Sequence, residues 1–337
     1  MIDATLPPLD ILAKVKYLVE KQRYNHHLMN IPTAWLQSKG ELVTVGVLDT
    51  GRPRHKEVRI NKSWTAFNDY EEDKHGHSTH VCGILGAHDG NGGVWGIAPR
   101  CDINTYAVLN ADGKGSTYNI VRGIAQAVED GCQIINMSLG MTDVMPVALL
   151  EDACREAFDA GVIIIAAAGN ESGAISQPAK YTNVIAVAAV NVKKERAEFS
   201  NYGPELDFCT GGVDIYSTWL DNGYAMLSGT SMASPALTGV CALILGEHLK
   251  RENRGEAVGT PIKSMTDMYE HLQRIAYDVG PVGTDIYFGN GMPVFIAPDE
   301  GAPARDWDAM TEKEMMLADI RAIEERLHTL RLRVEDE

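Results

Sequence analysis

A serine stands in the run of small residues Gly229-Thr230-Ser231-Met232-Ala233-Ser234-Pro235, and an apolar stretch with helical character, Ala236 to Leu245, follows it. A hydroxyl at the start of a buried helix faces unpaired backbone N–H groups and the positive end of the helix dipole. Negative charge is stabilised there, and an acyl-transfer nucleophile must build such charge. Taken alone, the run reads equally as an N-cap ahead of a core helix. Three upstream stretches carry complementary groups. Asp49-Thr50-Gly51 closes an apolar run, and a carboxylate at the end of a buried strand is costly unless something pairs with it. His75, His77 and His80 lie within six residues. They lack the acidic ligand and the i, i+4 helical spacing of a His-Glu-x-x-His zinc site, so one of them as a general base is the alternative to a metal. Ala167-Ala168-Gly169-Asn170 closes a fourth apolar run, where an asparagine amide could face a developing oxyanion or simply make a turn.

The elements that must position these groups follow from the periodicity. Leu42 to Leu48, Ile103 to Leu109, Gln133 to Met137, Val162 to Ala167 and Val184 to Val190 are near-continuous apolar runs, the pattern of strands buried on both faces. Tyr118 to Val128 and Val147 to Phe158 between them read as helices. The alternation predicts an α/β fold in three layers, a mostly parallel central sheet with helices on both faces and right-handed crossovers. In such sheets sites gather at the carboxyl ends of the strands.

Composition narrows the function classes. The chain has 337 residues, 45% of them hydrophobic, 32 glycines and a formal net charge of −16. That charge argues against nucleic acid or an anionic membrane surface as the main partner, and the reading finds no apolar run long enough to span a bilayer. The six cysteines show no Cys-x-x-Cys spacing and read as reduced packing residues, and the N-terminus, Met1-Ile2-Asp3-Ala4, shows no basic n-region or apolar h-region of a signal peptide, so a cytoplasmic setting is expected.

At this point the residues resemble a known family, the subtilisin-type serine proteases or subtilases. The stretches that carry the resemblance are Val47-Leu48-Asp49-Thr50-Gly51, His77-Ser78-Thr79-His80-Val81-Cys82-Gly83, Asn136-Met137-Ser138-Leu139-Gly140, Ala166-Ala167-Ala168-Gly169-Asn170 and Gly229 to Pro235. Pro178-Ala179-Lys180-Tyr181, Phe199 to Pro204 and Tyr287 to Gly291 add to it, and the likeness runs from about residue 30 to 297. The order Asp…His…Ser and an oxyanion-hole asparagine are established features of subtilisin itself. The resemblance implies a serine endopeptidase acting through an acyl-enzyme. Ser231 matches the nucleophile, His77 the general base, Asp49 the orienting carboxylate, and Asn170 with the Ser231 N–H the oxyanion hole. His77 is chosen over its neighbours because it alone starts the family's His-x-Thr-His-Val-x-Gly register. Peptide would add as a strand along Ser138-Leu139-Gly140 and Gly113-Lys114-Gly115, with Ala167, Ala168 and Gly169 lining the pocket for the residue before the cut. Two departures stand out: Ser78 where relatives carry glycine, and Ala236-Leu237-Thr238 after the Ser-Pro pair. The resemblance also implies structural calcium, with Glu57, Asp89 and Asn91 as ligands and a weaker site near Ala179, Tyr181, Val184 and Asp207.

The ends of the chain add three expectations. Residues 1–28 read as a leader whose apolar positions, Leu9, Ile11, Leu12, Val15, Leu18 and Val19, recur at helical spacing behind Pro7 and Pro8. As in the intracellular branch of the family, that leader could lie across the cleft and restrain activity. Residues 29–297 form the catalytic domain, and 298–310 a linker rich in Pro, Gly, Ala and Asp. Residues 311–337 read as an amphipathic or coiled-coil helix whose seam, Met316, Ile320, Ile323, Leu327, Leu330 and Val334, suits a homo-oligomer or a partner protein. Protein or peptide substrates are the expected ligands, with no nucleic acid and no membrane. Two rivals remain: an assembly-tethered processing protease, and an inactive subtilase fold used as a binding module.

Overall fold

The computed structural model describes residues 3–5, 10–15, 24–67, 72–89, 93–141, 147–256 and 261–295. The leader and the entry to the main body contribute β1 (Asp3–Thr5), β2 (Asp10–Val15), α1 (Tyr24–Leu28) and α2 (Ile31–Ala34). Next come β3 (Thr44–Asp49), β4 (Lys62–Thr65), α3 (His77–Gly86), β5 (Asp102–Ala107), β6 (Lys114–Ser116) and α4 (Thr117–Glu129). The second half holds β7 (Ile134–Met137), α5 (Ala148–Asp159), β8 (Ile163–Ala167), β9 (Ile185–Val190) and β10 (Phe208–Gly211). It closes with β11 (Ile215–Thr218), β12 (Tyr224–Ser228), α6 (Thr230–Asn253) and α7 (Met265–Ile275).

Seven strands make the central sheet in the order β10-β9-β8-β7-β3-β5-β4, and every neighbouring pair in it is parallel. The expected architecture is therefore present. β3, β7, β8 and β9 are buried almost throughout, which explains their unbroken apolar runs. From β3 the chain goes to the edge strand β4 and returns to β5 beside β3, then moves outward through β7 to β10 on the other side. The order reverses between β3 and β7, and that crevice is where a parallel sheet offers a site. Register sharpens the point. Leu48 pairs with Met137, and Met137 with Ala166, so Asp49, Ser138 and Ala167 stand level on three adjacent strands.

Helix α6 runs through the core, with every residue from Thr230 to Gly246 buried. By length and apolarity it could cross a bilayer, but it is packed inside the fold. The apolar pattern marks only Ala236 to Leu245, because Thr230, Ser231, Ser234 and Pro235 at the helix start do not look apolar. All six thiols are free.

The leader corrects the sequence reading. Its expected helix is replaced by strands: β1 pairs antiparallel with β6, and β2 pairs antiparallel with β12. Over Asp10–Val15 the helical spacing loses to the open edge of β12, which supplies backbone partners that an isolated short helix cannot match. Residues 6–9 and 16–23 of the leader, the linker at 298–310 and the helix expected at 311–337 lie outside the described residues.

Candidate active site

Asp49 ends β3 and His77 opens α3, and both are fully buried. His77 Nδ1 lies 2.8 Å from Asp49 Oδ1 and 2.9 Å from Oδ2. Both oxygens can only accept from an imidazole, so Nδ1 carries the proton and Nε2 presents its lone pair. The Thr50 N–H also donates to Asp49 Oδ1, at 2.7 Å, so the carboxylate is satisfied as a buried charge must be. His77 Nε2 has no hydrogen-bond partner among the described residues. Gly76 turns the chain into α3 at φ +98°, and a Cβ there would sit 2.6 Å from the Trp219 ring. Only glycine fits that entry.

Ser231 is the second residue of α6 and is also fully buried. Its Oγ donates to the Ser138 carbonyl at 3.2 Å, and the Ser138 Oγ donates back to the Ser231 carbonyl at 3.0 Å. The second bond has a local cause. Pro235 sits four residues on and has no N–H to give that carbonyl, so a side chain from the strand end takes its place. Asn136 on β7 donates to Ser138 Oγ at 3.0 Å and accepts from the Ser234 and Thr238 hydroxyls at 2.8 and 2.9 Å. The strand and the start of α6 are thereby tied together.

Asn170 follows β8. Its Oδ1 accepts from the Thr230 N–H at 2.9 Å and the Thr230 hydroxyl at 2.8 Å. Anchored this way, the amide turns Nδ2 toward Gly229, 3.2 Å from where a Cβ on that glycine would stand. Gly169 before it has φ +107°, and a Cβ there would meet Asn201 Nδ2 at 2.2 Å and Ser176 Oγ at 2.3 Å. The Ser231 N–H has no intrahelical acceptor at that position. A side-chain amide and a helix-start N–H thus lie beside Ser231, the kind of donor pair an oxyanion requires.

The structure brings Asp49 to His77, and Ser231 to Ser138, Thr230 and Asn170. The two groups belong to adjacent strand ends at the sheet's reversal point. His80 is separate: its Nε2 lies 3.0 Å from the Ile215 carbonyl and 3.1 Å from that of Ala225, a structural role. His75 flanks the site, its ring 6.3 Å from that of His77. Burial first, then the neighbouring His77, push its pKa below the ordinary histidine value. The edges assigned to substrate are present as β6 and as the segment after β7, and β6 already pairs with residues 3–5. Sequence reasoning missed Thr230, Asn136 and Asp73 as supporting groups. Asp73 carried the one available signal, an aspartate just ahead of a helix start.

Among the described residues, Glu57 and Asp89, two of the three proposed calcium ligands, each have other partners. Glu57 is 1% exposed, and its Oε2 accepts from the Val94 N–H at 3.0 Å while Oε1 accepts from the Tyr224 hydroxyl at 2.5 Å. Asp89 instead pairs with Lys39 at 2.6 Å and with Arg100 at 3.5 Å. Its charge is already balanced by two cations, so this pair does not fit a calcium centre. Asn91 lies outside the described residues. At the second location Asp207 accepts from the Ala186 N–H at 2.8 Å, and burial raises its pKa to about 6, which weakens it as a ligand at mildly acidic pH.

Comparison with known proteins gives one consistent family. A sequence model described as "Subtilase family" matches residues 40–291. Subtilisin DY of Bacillus licheniformis is 38% identical over 262 residues, covering 75% of this chain and 89% of that protein. M-protease of Shouchella clausii is 35% identical over 295 residues, covering 86% of this chain and 73% of that protein. Subtilisin Savinase of Lederbergia lenta is 38% identical over 256 residues, covering 75% of this chain and 89% of that protein.

Proposed function

The chain belongs to the subtilase family of serine endopeptidases, and from that premise we propose that Asp49, His77 and Ser231 act as its triad, with Asn170 and the Ser231 N–H as its oxyanion hole. The observation that carries this reading is the buried Asp49–His77 pair, standing level with the strand end that holds Ser231. Ser231 Oγ leaves the Ser138 carbonyl, turns to His77 Nε2 and attacks the peptide carbonyl. The C–O bond forms as the hydroxyl proton passes to His77, and the carbonyl electron pair moves onto oxygen, toward the two N–H donors. Collapse breaks the C–N bond, and the imidazolium returns its proton to the leaving amine. Water then repeats the sequence on the acyl-enzyme and frees the acid. Asp49 stays ionised throughout and holds the tautomer.

A second element of the reading is that the leader restrains this site. Asp3, Ala4 and Thr5 pair with Ser116, Gly115 and Lys114, the edge that substrate would use. On the other side, β2 pairs along β12, which ends three residues before Ser231. Residues 3–5 thus take a strand position on the expected substrate edge, and residues 10–15 pair with the strand that leads into α6. A strand in the peptide's own position excludes peptide by occupancy.

Labelling with a fluorophosphonate tests the reading. Wild type freed of residues 1–23 should label and Ser231→Ala should not. Equal labelling, or none in either, would return the fold to the role of a binding module. We further place the enzyme in a reducing compartment, supported by six unpaired thiols, and cell fractionation tests it. Self-association through residues 311–337 is tested by sedimentation of the full chain against one ending at Pro298.

A further inference from the structure

Asp73 is 7% exposed and accepts five hydrogen bonds. Its Oδ1 takes the Thr50 hydroxyl at 2.9 Å and the N–H groups of His75 at 3.0 Å and Gly76 at 2.8 Å. Its Oδ2 takes the N–H of Thr79 at 2.8 Å and the hydroxyl of Thr79 at 2.6 Å. These partners come from two elements. Thr50 directly follows Asp49 at the end of β3. His75, Gly76 and Thr79 form the entry and first turn of α3, which carries His77. The helix has no side-chain cap of its own at Gly76, so Asp73 satisfies orphan donors from outside. Ser78, one of the two departures from the family pattern, adds to the same seam. Its N–H donates to Thr50 Oγ1 at 3.1 Å, and its hydroxyl donates to the Gly51 carbonyl at 2.6 Å.

We propose that Asp73 is a positioning residue for catalysis: by joining Thr50 to the first turn of α3, it fixes the Asp49–His77 hydrogen bond before any peptide arrives. The inference rests on the triad reading above. All five partners are donors, so a neutral amide cannot replace the carboxylate without setting N–H against N–H. Displacing the imidazole by a fraction of an ångström costs turnover more than it costs binding.

The test uses the full chain and two readouts. The first is the proton NMR signal of His77 Nδ1–H, shifted downfield by its charge-assisted bond and assigned by its loss in His77→Ala. The second is steady-state hydrolysis after removal of the leader. Asp73→Asn should move or broaden the downfield signal and lower kcat by roughly 10², with KM within about twofold. Thr50→Val cuts the bridge but leaves the helix-capping bonds of Asp73 in place. It should shift the same signal and lower kcat by roughly tenfold, and Thr50→Ser should restore both. If Asp73→Asn fails to fold, the Thr50 pair decides alone. A folded Thr50→Val with an unchanged signal and unchanged kcat would overturn the proposal, whatever its melting temperature. A signal that responds in a chain with no hydrolytic activity would sustain the positioning role and overturn the protease reading instead.

Discussion

The Asp49–His77 half of the proposed site and its Ser231 half are finished to different degrees. Asp49 and His77 are already bonded, with the imidazole tautomer set and the carboxylate satisfied. The Ser231 hydroxyl instead donates to the Ser138 carbonyl, while His77 Nε2 waits without a described partner. The first half is locked by groups that never need to move. The second is locked by one hydrogen bond, worth about 1 kcal/mol net, that a side-chain rotation breaks. Pre-organisation is thus concentrated where charge must be held, and freedom is left where a bond must form.

The sharpest way to break this contrast is Ser231→Ala. It should lower turnover by roughly 10⁶, a magnitude established on subtilisin itself, while the downfield His77 proton stays in place. Loss of that proton in the variant would mean that the two halves are not independent. Asn170→Ala comes next and should cost roughly 10²–10³ in kcat, again by analogy with subtilisin, with KM little changed; steady-state kinetics on one peptide substrate measures it. Removing residues 1–23 should raise the initial rate by about tenfold for each ~1.4 kcal/mol of leader docking. A progress curve that is identical with and without the leader would remove the restraint from the picture.

The smallest effect concerns which imidazole titrates. His75 faces His77, Asp49, Asp73 and Asp112, and burial and His77 together hold it below the ordinary value. In the folded chain it stays neutral while the unfolded chain binds a proton, so this group's contribution to stability falls as pH drops below the ordinary histidine range. His75→Gln should therefore flatten the acid side of the melting-temperature profile. It should leave kcat within about threefold and the acid limb of the rate profile at one proton. A two-proton limb in wild type that becomes one in the variant would make His75 part of the chemistry.

Parts of this were legible in the sequence for definite reasons. β3, β7, β8 and β9 are parallel strands covered on both faces, so each reads as an apolar run and its last residue marks a strand end. Asp49 and Asn170 could be placed on that basis. The strands β10, β11 and β12 mix Gly, Ser and Thr with apolar residues, and β6 is only Lys-Gly-Ser, so none carries a period. The leader misled because its apolar positions have helical spacing, whereas the strand partners of residues 3–5 and 10–15 lie more than a hundred residues away. Asp73 was hidden in Glu71-Glu72-Asp73-Lys74, which looks like a solvated charge run until its five donors are seen. Asp89 misled for the opposite reason: a carboxylate on a glycine-rich loop suggests a cation, and the cations it found are Lys39 and Arg100.

The level alignment of Asp49, Ser138 and Ala167 restricts how such an enzyme can be altered. Side chains along a strand alternate faces, so sliding β3 by a single position would aim the carboxylate to the opposite side of the sheet. No gradual path of strand slippage leads from this arrangement to a neighbouring one. Changes in what the enzyme accepts must be written into the connecting segments, with the sheet acting as a fixed ruler beneath them.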